Sequence, residues 1–199
     1  IFAGIDVFDI EVDTKNVEEF IQTVKNIAPT FGGINLEDIK APESFEIERR
    51  LVEELNIPVM HDDQHGTAII SSAALLNALE LAGKKAEDMK MVVSGAGSAA
   101  LACADLYILL GVKLENILMF NSKGLLTKDN PSLSPLQQKY AKDMPQMTLA
   151  EALVGADIFL GLSSGDIMSP EMLLTMADNP IVFAMANPIP EIDYNLAIA

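Results

Sequence analysis

Apolar residues in this chain fall into two kinds of run. Val17, Phe20, Ile21, Val24 and Ile27 stand at the three-and-four spacing that lines one helix face. Pro42 to Leu55 reads as a second helix, opened by a proline that a first turn tolerates. Gly66 to Leu81 is a long Ala/Leu/Ile helix stopped by Gly83, and Ser98 to Leu110 is another, stopped by Gly111. Shorter helices are expected over Leu149 to Val154 and Pro170 to Ala177. Between them lie short apolar runs that read as strands: Thr30 to Asn35, Ile57 to Met60, Lys90 to Val93, Ile117 to Phe120, Ile158 to Leu162 and Ile181 to Ala186. Such alternation predicts βαβ units and a mostly parallel sheet, an α/β fold. Ser122 to Met147 breaks the pattern. It is polar, holds Pro131, Pro135 and Pro145, and is expected to be a surface loop with one short helix. The domain boundary is expected near residues 61 to 66, dividing the chain into 1–62 and 63–199.

Composition narrows the function classes. The chain has 199 residues, 50% hydrophobic and 21% charged, a globular profile with a sizeable core. Its net charge of -16 argues against nucleic acid and against an anionic membrane surface as partners. The single Cys103 excludes an intrachain disulfide and fits a reducing compartment. With no signal peptide and no spanning stretch, the cytoplasm is the expected location. The chain opens on Ile1-Phe2-Ala3-Gly4-Ile5 without a methionine and stops at Ala199 inside a helix start, so it is expected to be a fragment.

The sharpest generic signal is Met91-Val92-Val93-Ser94-Gly95-Ala96-Gly97-Ser98-Ala99-Ala100. It is a strand, a Gly-x-Gly-x-x-Ala turn and a helix start. The first glycine permits the tight turn, the second lets a pyrophosphate approach the backbone, and Ala100 lets the helix pack close to the strand. Free N–H groups and the helix dipole then favour phosphate. A tight turn without a ligand is the competing reading. The dinucleotide fingerprint expects an acid on the ribose roughly 20 residues further on. Here the second strand ends at Asn121, which carries no charge to repel a 2′-phosphate, and Ser122 and Lys123 follow. NADP is therefore expected over NAD, with NAD possible.

Two acidic pairs follow apolar strands, Glu37-Asp38 and Asp62-Asp63. Both are expected at the carboxyl edge of a parallel sheet, where ligands bind. Carboxylates gathered there favour a divalent cation, Mg²⁺ or Mn²⁺. Adjacent strand residues face opposite sides, so Glu37 and Asp38 share a metal only if the backbone leaves strand geometry there. The alternative is that these acids are turn residues or helix caps. His61 and His65 read as structural neighbours, Cys103 as a small core residue, and the ten methionines as core.

At this point the residues match a known family. Pro29-Thr30-Phe31-Gly32-Gly33-Ile34-Asn35-Leu36-Glu37-Asp38-Ile39-Lys40-Ala41-Pro42-Glu43 resembles a signature of bacterial-type malic enzymes, the oxaloacetate-decarboxylating malate dehydrogenases. So do Ile57-Pro58-Val59-Met60-His61-Asp62-Asp63-Gln64-His65-Gly66-Thr67-Ala68, the segment Ser94 to Ala100, and Ala186-Asn187-Pro188-Ile189-Pro190-Glu191. The resemblance runs essentially from end to end. It implies the C-terminal part of a substrate and metal domain over 1–62, then an incomplete Rossmann-type doubly wound parallel sheet over 63–199.

That family oxidises and decarboxylates malate to pyruvate and CO₂ while reducing NAD or NADP, with a divalent metal as Lewis acid. The resemblance implies Glu37, Asp38 and Asp63 as metal ligands, with Asp62 beside the catalytic lysine. It implies Gly95, Ala96, Gly97, Ser98 and Ala99 around the pyrophosphate, and Asn187 near nicotinamide and substrate. The family's proton-accepting lysine and its tyrosine acid would lie upstream of Ile1; Lys15, Lys25 and Lys40 match other parts of the pattern. The chain by itself is therefore expected to be inactive, and the whole protein to be a homo-oligomer. The competing readings are another two-domain dinucleotide-dependent dehydrogenase, a nucleotide-binding regulatory module and a structural interaction protein. The first lacks the paired acids, and the last leaves them unexplained.

Overall fold

Asn16 starts the first helix by chemistry rather than pattern. Its Oδ1 accepts from the backbone N–H groups of Glu18 and Glu19, satisfying donors that a helix start leaves open. The structure is a computed structural model that describes residues 4–198. Ile1 to Ala3, and with them most of the opening apolar stretch, lie outside the described residues, as does the closing Ala199. The chain forms two compact units that meet in sequence at Asp62 and Asp63.

In the first unit, α1 (Val17–Ile27) buries Ile21 and Val24. Strand β1 (Ile34–Leu36) lies parallel to β2 (Val59–His61), pairing Ile34 with Val59 and Leu36 with His61. Helix α2 (Glu43–Glu54) forms the crossover between them and contributes buried Ile47 and Leu51. Those two residues pack with Ile21, Val24 and Leu36 into a small core. Outside that core, charges link the two helices. Arg50 pairs with Glu18 and Glu54, and Lys25 pairs with Glu54.

The second unit is built on a five-stranded sheet in the order β5-β4-β3-β6-β7. Strands β3 (Met91–Ser94), β4 (Ile117–Asn121), β6 (Ile158–Gly161) and β7 (Ile181–Ala184) run parallel, and the short β5 (Gly124–Leu125) lies antiparallel on the β4 edge. Every residue of β3 and β6 is buried, which is why both read as unbroken apolar runs. Helix α3 (Asp62–Ala82) leads into the sheet, and α4 (Ser98–Leu109) connects β3 to β4. The short helices α5 (Pro135–Gln138), α6 (Leu149–Leu153), α7 (Pro170–Leu174) and α8 (Tyr194–Ala197) follow. Val92, Phe120, Leu153, Phe159 and Met168 belong to one buried cluster. Among the described residues no helix is long and apolar enough to cross a membrane.

The strand expected over Thr30 to Asn35 forms only over Ile34–Leu36, with Thr30 in a 3₁₀ turn, and two further segments differ more from their sequence pattern. Helix α3 starts at Asp62 rather than Gly66, so the second acidic pair sits in a helical first turn. Carboxylates are favoured there by the positive end of the helix dipole. The polar stretch from Ser122 to Met147 is also more than a surface loop. It buries Leu125, Leu126, Leu133 and Tyr140. Long-range side-chain bonds hold it: Lys142 Nζ donates to the carbonyls of Leu114 and Glu115, and Gln146 Nε2 to that of Leu125. Bonds of that kind leave no hydrophobic period.

Candidate functional site

Strand β3 is flanked by β4 on one side and β6 on the other. The chain leaves β3 toward β4 and later returns to pair β6, so the sheet changes winding direction beside β3. In open α/β sheets this is where a crevice forms beyond the carboxyl ends of the strands. The glycine turn lies there.

Its two glycines have different causes. Gly95 has φ of 126°, and a Cβ on it would stand 2.5 Å from the Leu162 carbonyl oxygen. The fold itself requires glycine at that position. Gly97 has an ordinary φ of -86°, and a Cβ there would meet nothing within 4 Å. No contact within 4 Å calls for glycine at 97, and the open space leaves room for a group lying against the backbone. Gly97 is also the N-cap of α4, and no side chain caps that helix start. Its first N–H groups are oriented for an anion. Ala96 and Ala100 are buried, while Ser98 and Ala99 are half-buried. A dinucleotide pyrophosphate fits this arrangement.

Asn121 closes β4 and is half-buried. Its Oδ1 accepts from Lys123 N at 2.8 Å, so that atom is committed to the turn into β5. Asn187 is exposed, follows β7, and its Nδ2 donates to the Met185 carbonyl at 3.4 Å.

Sequence reasoning missed Glu191 as an individual residue. It is 0% exposed. Its Oε1 accepts from Ser163 N at 3.1 Å and its Oε2 from Ala186 N at 3.0 Å. One carboxylate thus fastens the loop after β6 to the loop after β7, next to Asn187. Backbone bonds from Asp166 N to Pro190 O and from Met168 N to Glu191 O continue the clasp. The space comes from Gly161, where a Cβ would stand 2.3 Å from the Glu191 Cδ. Ser163 also meets Ser94 across the crevice floor, Oγ to Oγ at 2.8 Å. The available signal was that Glu191 closes the Ala186–Glu191 motif, but nothing in the sequence marks a glutamate as buried.

The carboxylates divide between the units. Glu37 and Asp38 follow β1 and are exposed, and Asn35 Nδ2 donates to Glu37 Oε2 at 3.1 Å. Strand geometry ends at Leu36, and Asp38 has φ of 55°, in the left-handed region. The backbone therefore leaves the strand where two adjacent acids must do so to face one ligand. Asp62 and Asp63 are half-buried in the first turn of α3. His61 is buried and its N–H donates to Glu48 Oε1 at 2.8 Å; His65 is exposed. Glu37 and Asp38 belong to the first unit and Asp63 to the second. Among the described residues no three His, Cys, Asp or Glu side chains are grouped to hold a metal ion. By donor chemistry the acids suit a hard divalent cation. Cys103 is fully buried and 3.5 Å from Ser71 Oγ, and burial pushes its thiol pKa up, as for a core residue.

A mostly parallel sheet with a glycine turn at its winding reversal defines a dinucleotide-binding fold. The comparisons with known proteins are more specific. The family described as "Malic enzyme, NAD binding domain" matches residues 64–196, and "Malic enzyme, N-terminal domain" matches residues 9–52. The chain belongs to the malic enzyme family. It is 52% identical over 196 residues to an NADP-dependent malic enzyme of Halomonas elongata, covering 98% of this chain and 46% of that protein. It is 54% identical over 192 residues to an NAD-dependent malic enzyme of Rhizobium meliloti, covering 96% of this chain and 25% of that one. The crystal structure of an NAD-dependent malic enzyme from Thermotoga maritima superposes with a TM-score of 0.92 at 45% identity, covering 99% of this chain and 53% of the other. The chain thus spans between a quarter and about half the length of these relatives.

Proposed function

We propose that this chain carries the dinucleotide-binding core and the metal-side carboxylates of an enzyme that oxidatively decarboxylates malate to pyruvate and CO₂. The observation that carries this reading is Gly97: a helix-capping glycine that packing does not require, at the winding reversal of a malic-enzyme-family sheet. A bound nicotinamide would accept the hydride from the carbon bearing the malate hydroxyl. The chain's own part is to hold it. The Gly95–Ala99 backbone cradles the pyrophosphate, Asn121 meets the ribose, and Asn187 faces the nicotinamide and substrate. NADP is favoured over NAD because the residue ending β4 is uncharged and Lys123 follows it. Relatives of both cofactor types share about half their matched residues with this chain, so the choice rests on these positions.

Glu37, Asp38 and Asp63 would hold Mg²⁺ or Mn²⁺, which would supply Lewis-acid polarisation of the substrate oxygens. Asp62, next to Asp63 in the same helical turn, would orient the lysine that accepts the hydroxyl proton. Neither that lysine nor the tyrosine acid has a counterpart in this chain, so malate turnover belongs to the whole enzyme, which we read as a cytoplasmic homo-oligomer.

Fluorescence titration with NADPH and NADH tests the dinucleotide part. The chain is expected to bind both, NADPH more tightly, and Gly97→Val to lose more than about tenfold in affinity while staying folded by circular dichroism, since the valine would fill the space left for phosphate. Equal binding by Gly97→Val would defeat the reading. Calorimetric titration of Mn²⁺ into the chain and an Asp63→Ala variant tests the metal part; saturable binding that survives in the variant would remove Asp63 from the ligand set.

A further inference from the structure

Gln137 lies outside the glycine turn, yet its side chain is bonded to it. Helix α5 is a single turn with Pro135 at its first position. Ser134 Oγ accepts from Gln137 N at 3.3 Å, and Gln137 Oε1 accepts from Ser134 N at 3.1 Å. This reciprocal capping box uses only the oxygen of the Gln137 side chain, and a glutamate would satisfy it equally. The nitrogen goes elsewhere: Nε2 donates to the Ala96 carbonyl at 2.9 Å. The segment presenting it is firmly held. Tyr140 and Lys139 both bond Asp105 on α4, and Leu133 is buried.

A trans peptide is planar, so its C=O and N–H point in opposite directions. Holding the Ala96 carbonyl toward Gln137 therefore aims the Gly97 N–H the other way. This peptide unit precedes a glycine, where rotation of the backbone meets less steric resistance than at any other residue. Without the Gln137 bond the unit is free to turn over and withdraw a phosphate donor. We infer that Gln137 is a positioning residue for the dinucleotide site: through the Ala96 carbonyl it fixes the Gly97 N–H toward the pyrophosphate. This inference rests on the dinucleotide reading above. It makes α5, the helix hidden inside a proline-bearing polar stretch, part of the cofactor machinery.

The test is NADPH titration of the full chain beside Gln137→Glu, Gln137→Leu and Gln138→Glu, each with a thermal melt. Gln137→Glu keeps the capping box and loses the donor. Gln137→Leu loses the donor without adding charge. Gln138→Glu adds the same charge one residue away and leaves the Ala96 bond intact. Both Gln137 variants are expected to bind NADPH roughly threefold to tenfold more weakly, the range one hydrogen bond spans. Gln137→Glu should melt with the unchanged chain, and Gln138→Glu should bind as it does. Wild-type affinity in Gln137→Leu would overturn the inference, as would an equal loss in Gln138→Glu, which would trace the effect to charge or to the general anchoring of α5, where Gln138 Nε2 donates to the Leu133 carbonyl at 3.4 Å. An unchanged chain that binds no dinucleotide would instead defeat the underlying reading, and this inference with it.

Discussion

The two units of this chain are stabilised in different ways. The first has a two-stranded sheet, a small core around Leu51, and ion pairs linking α1 to α2. The second has a five-stranded sheet whose central strands are wholly buried, and buried polar groups tie its loops together. Their candidate site residues differ in the same manner. In the second unit the turn is shaped by the fold itself: Gly95 by Leu162, Ala96 by Gln137, and the neighbouring loops by Glu191. In the first unit Glu37 and Asp38 are exposed, and what prepares them is a backbone that leaves its strand after Leu36. A preformed cradle and exposed acids ask different things of a ligand. The turn has its shape before anything binds, whereas exposed carboxylates repel one another in a way that a cation between them would offset.

That contrast can be broken most sharply at Glu191. Glu191→Ala leaves the Ser163 and Ala186 N–H groups without their acceptor, and an unsatisfied buried donor costs about 1–3 kcal/mol, so a loss of roughly 2–6 kcal/mol is expected from the pair in urea unfolding. A loss below about 1 kcal/mol would mean that water replaces the carboxylate and the clasp is not structural. In the first unit, Leu51→Ala is expected to lose about 2–5 kcal/mol, read from hydrogen exchange of the α1 and α2 amides. No change in that protection would show that the ion pairs, not the core, hold the unit.

The smallest effect concerns charge. Hydrogen bonding to Arg50 pulls the Glu18 carboxyl below its ordinary range, and bonding to Lys25 does the same for Glu54. Groups lowered in the folded state stabilise above the ordinary carboxylate pKa and lose that contribution as pH falls through the folded value. Melts across the acid range should therefore show the first unit loosening as pH falls. The difference should shrink in high salt, because these groups face solvent. A Glu18→Gln, Glu54→Gln double variant that keeps the full acid slope would remove these pairs as its cause.

Much of the architecture was visible in the apolar runs. The helix from Val17 to Ile27 and the buried strands at Met91, Ile117 and Ile158 depend on spacing and burial, which leave a period or an unbroken run. The glycine turn was legible as a motif, but its two glycines looked alike. Only the neighbours of an absent Cβ separate Gly95, which the fold needs, from Gly97, which it does not. The start of α3 is not legible, because Gly66 reads as an opening, whereas the helix carries that glycine inside and begins on two acids that its dipole favours. Glu191 shows in the sequence only as the last residue of a motif, and Gln137 and the buried part of Ser122 to Met147 not at all, since each depends on a partner far along the chain: Ser163, Ala96 and Leu114. Periodicity reports on faces, and these residues act through single bonds.

The pairing of Gly161 with Glu191 also bears on how this sequence can vary. A β-carbon at 161 and the carboxylate of 191 claim the same volume. A larger residue at the first position must displace the second, and a smaller residue at the second strands two amides unless something else arrives to serve them. The two positions therefore form one heritable unit split across 30 residues of chain. A library that changes one residue at a time would score both as intolerant, and only paired substitution would reveal whether a different solution exists.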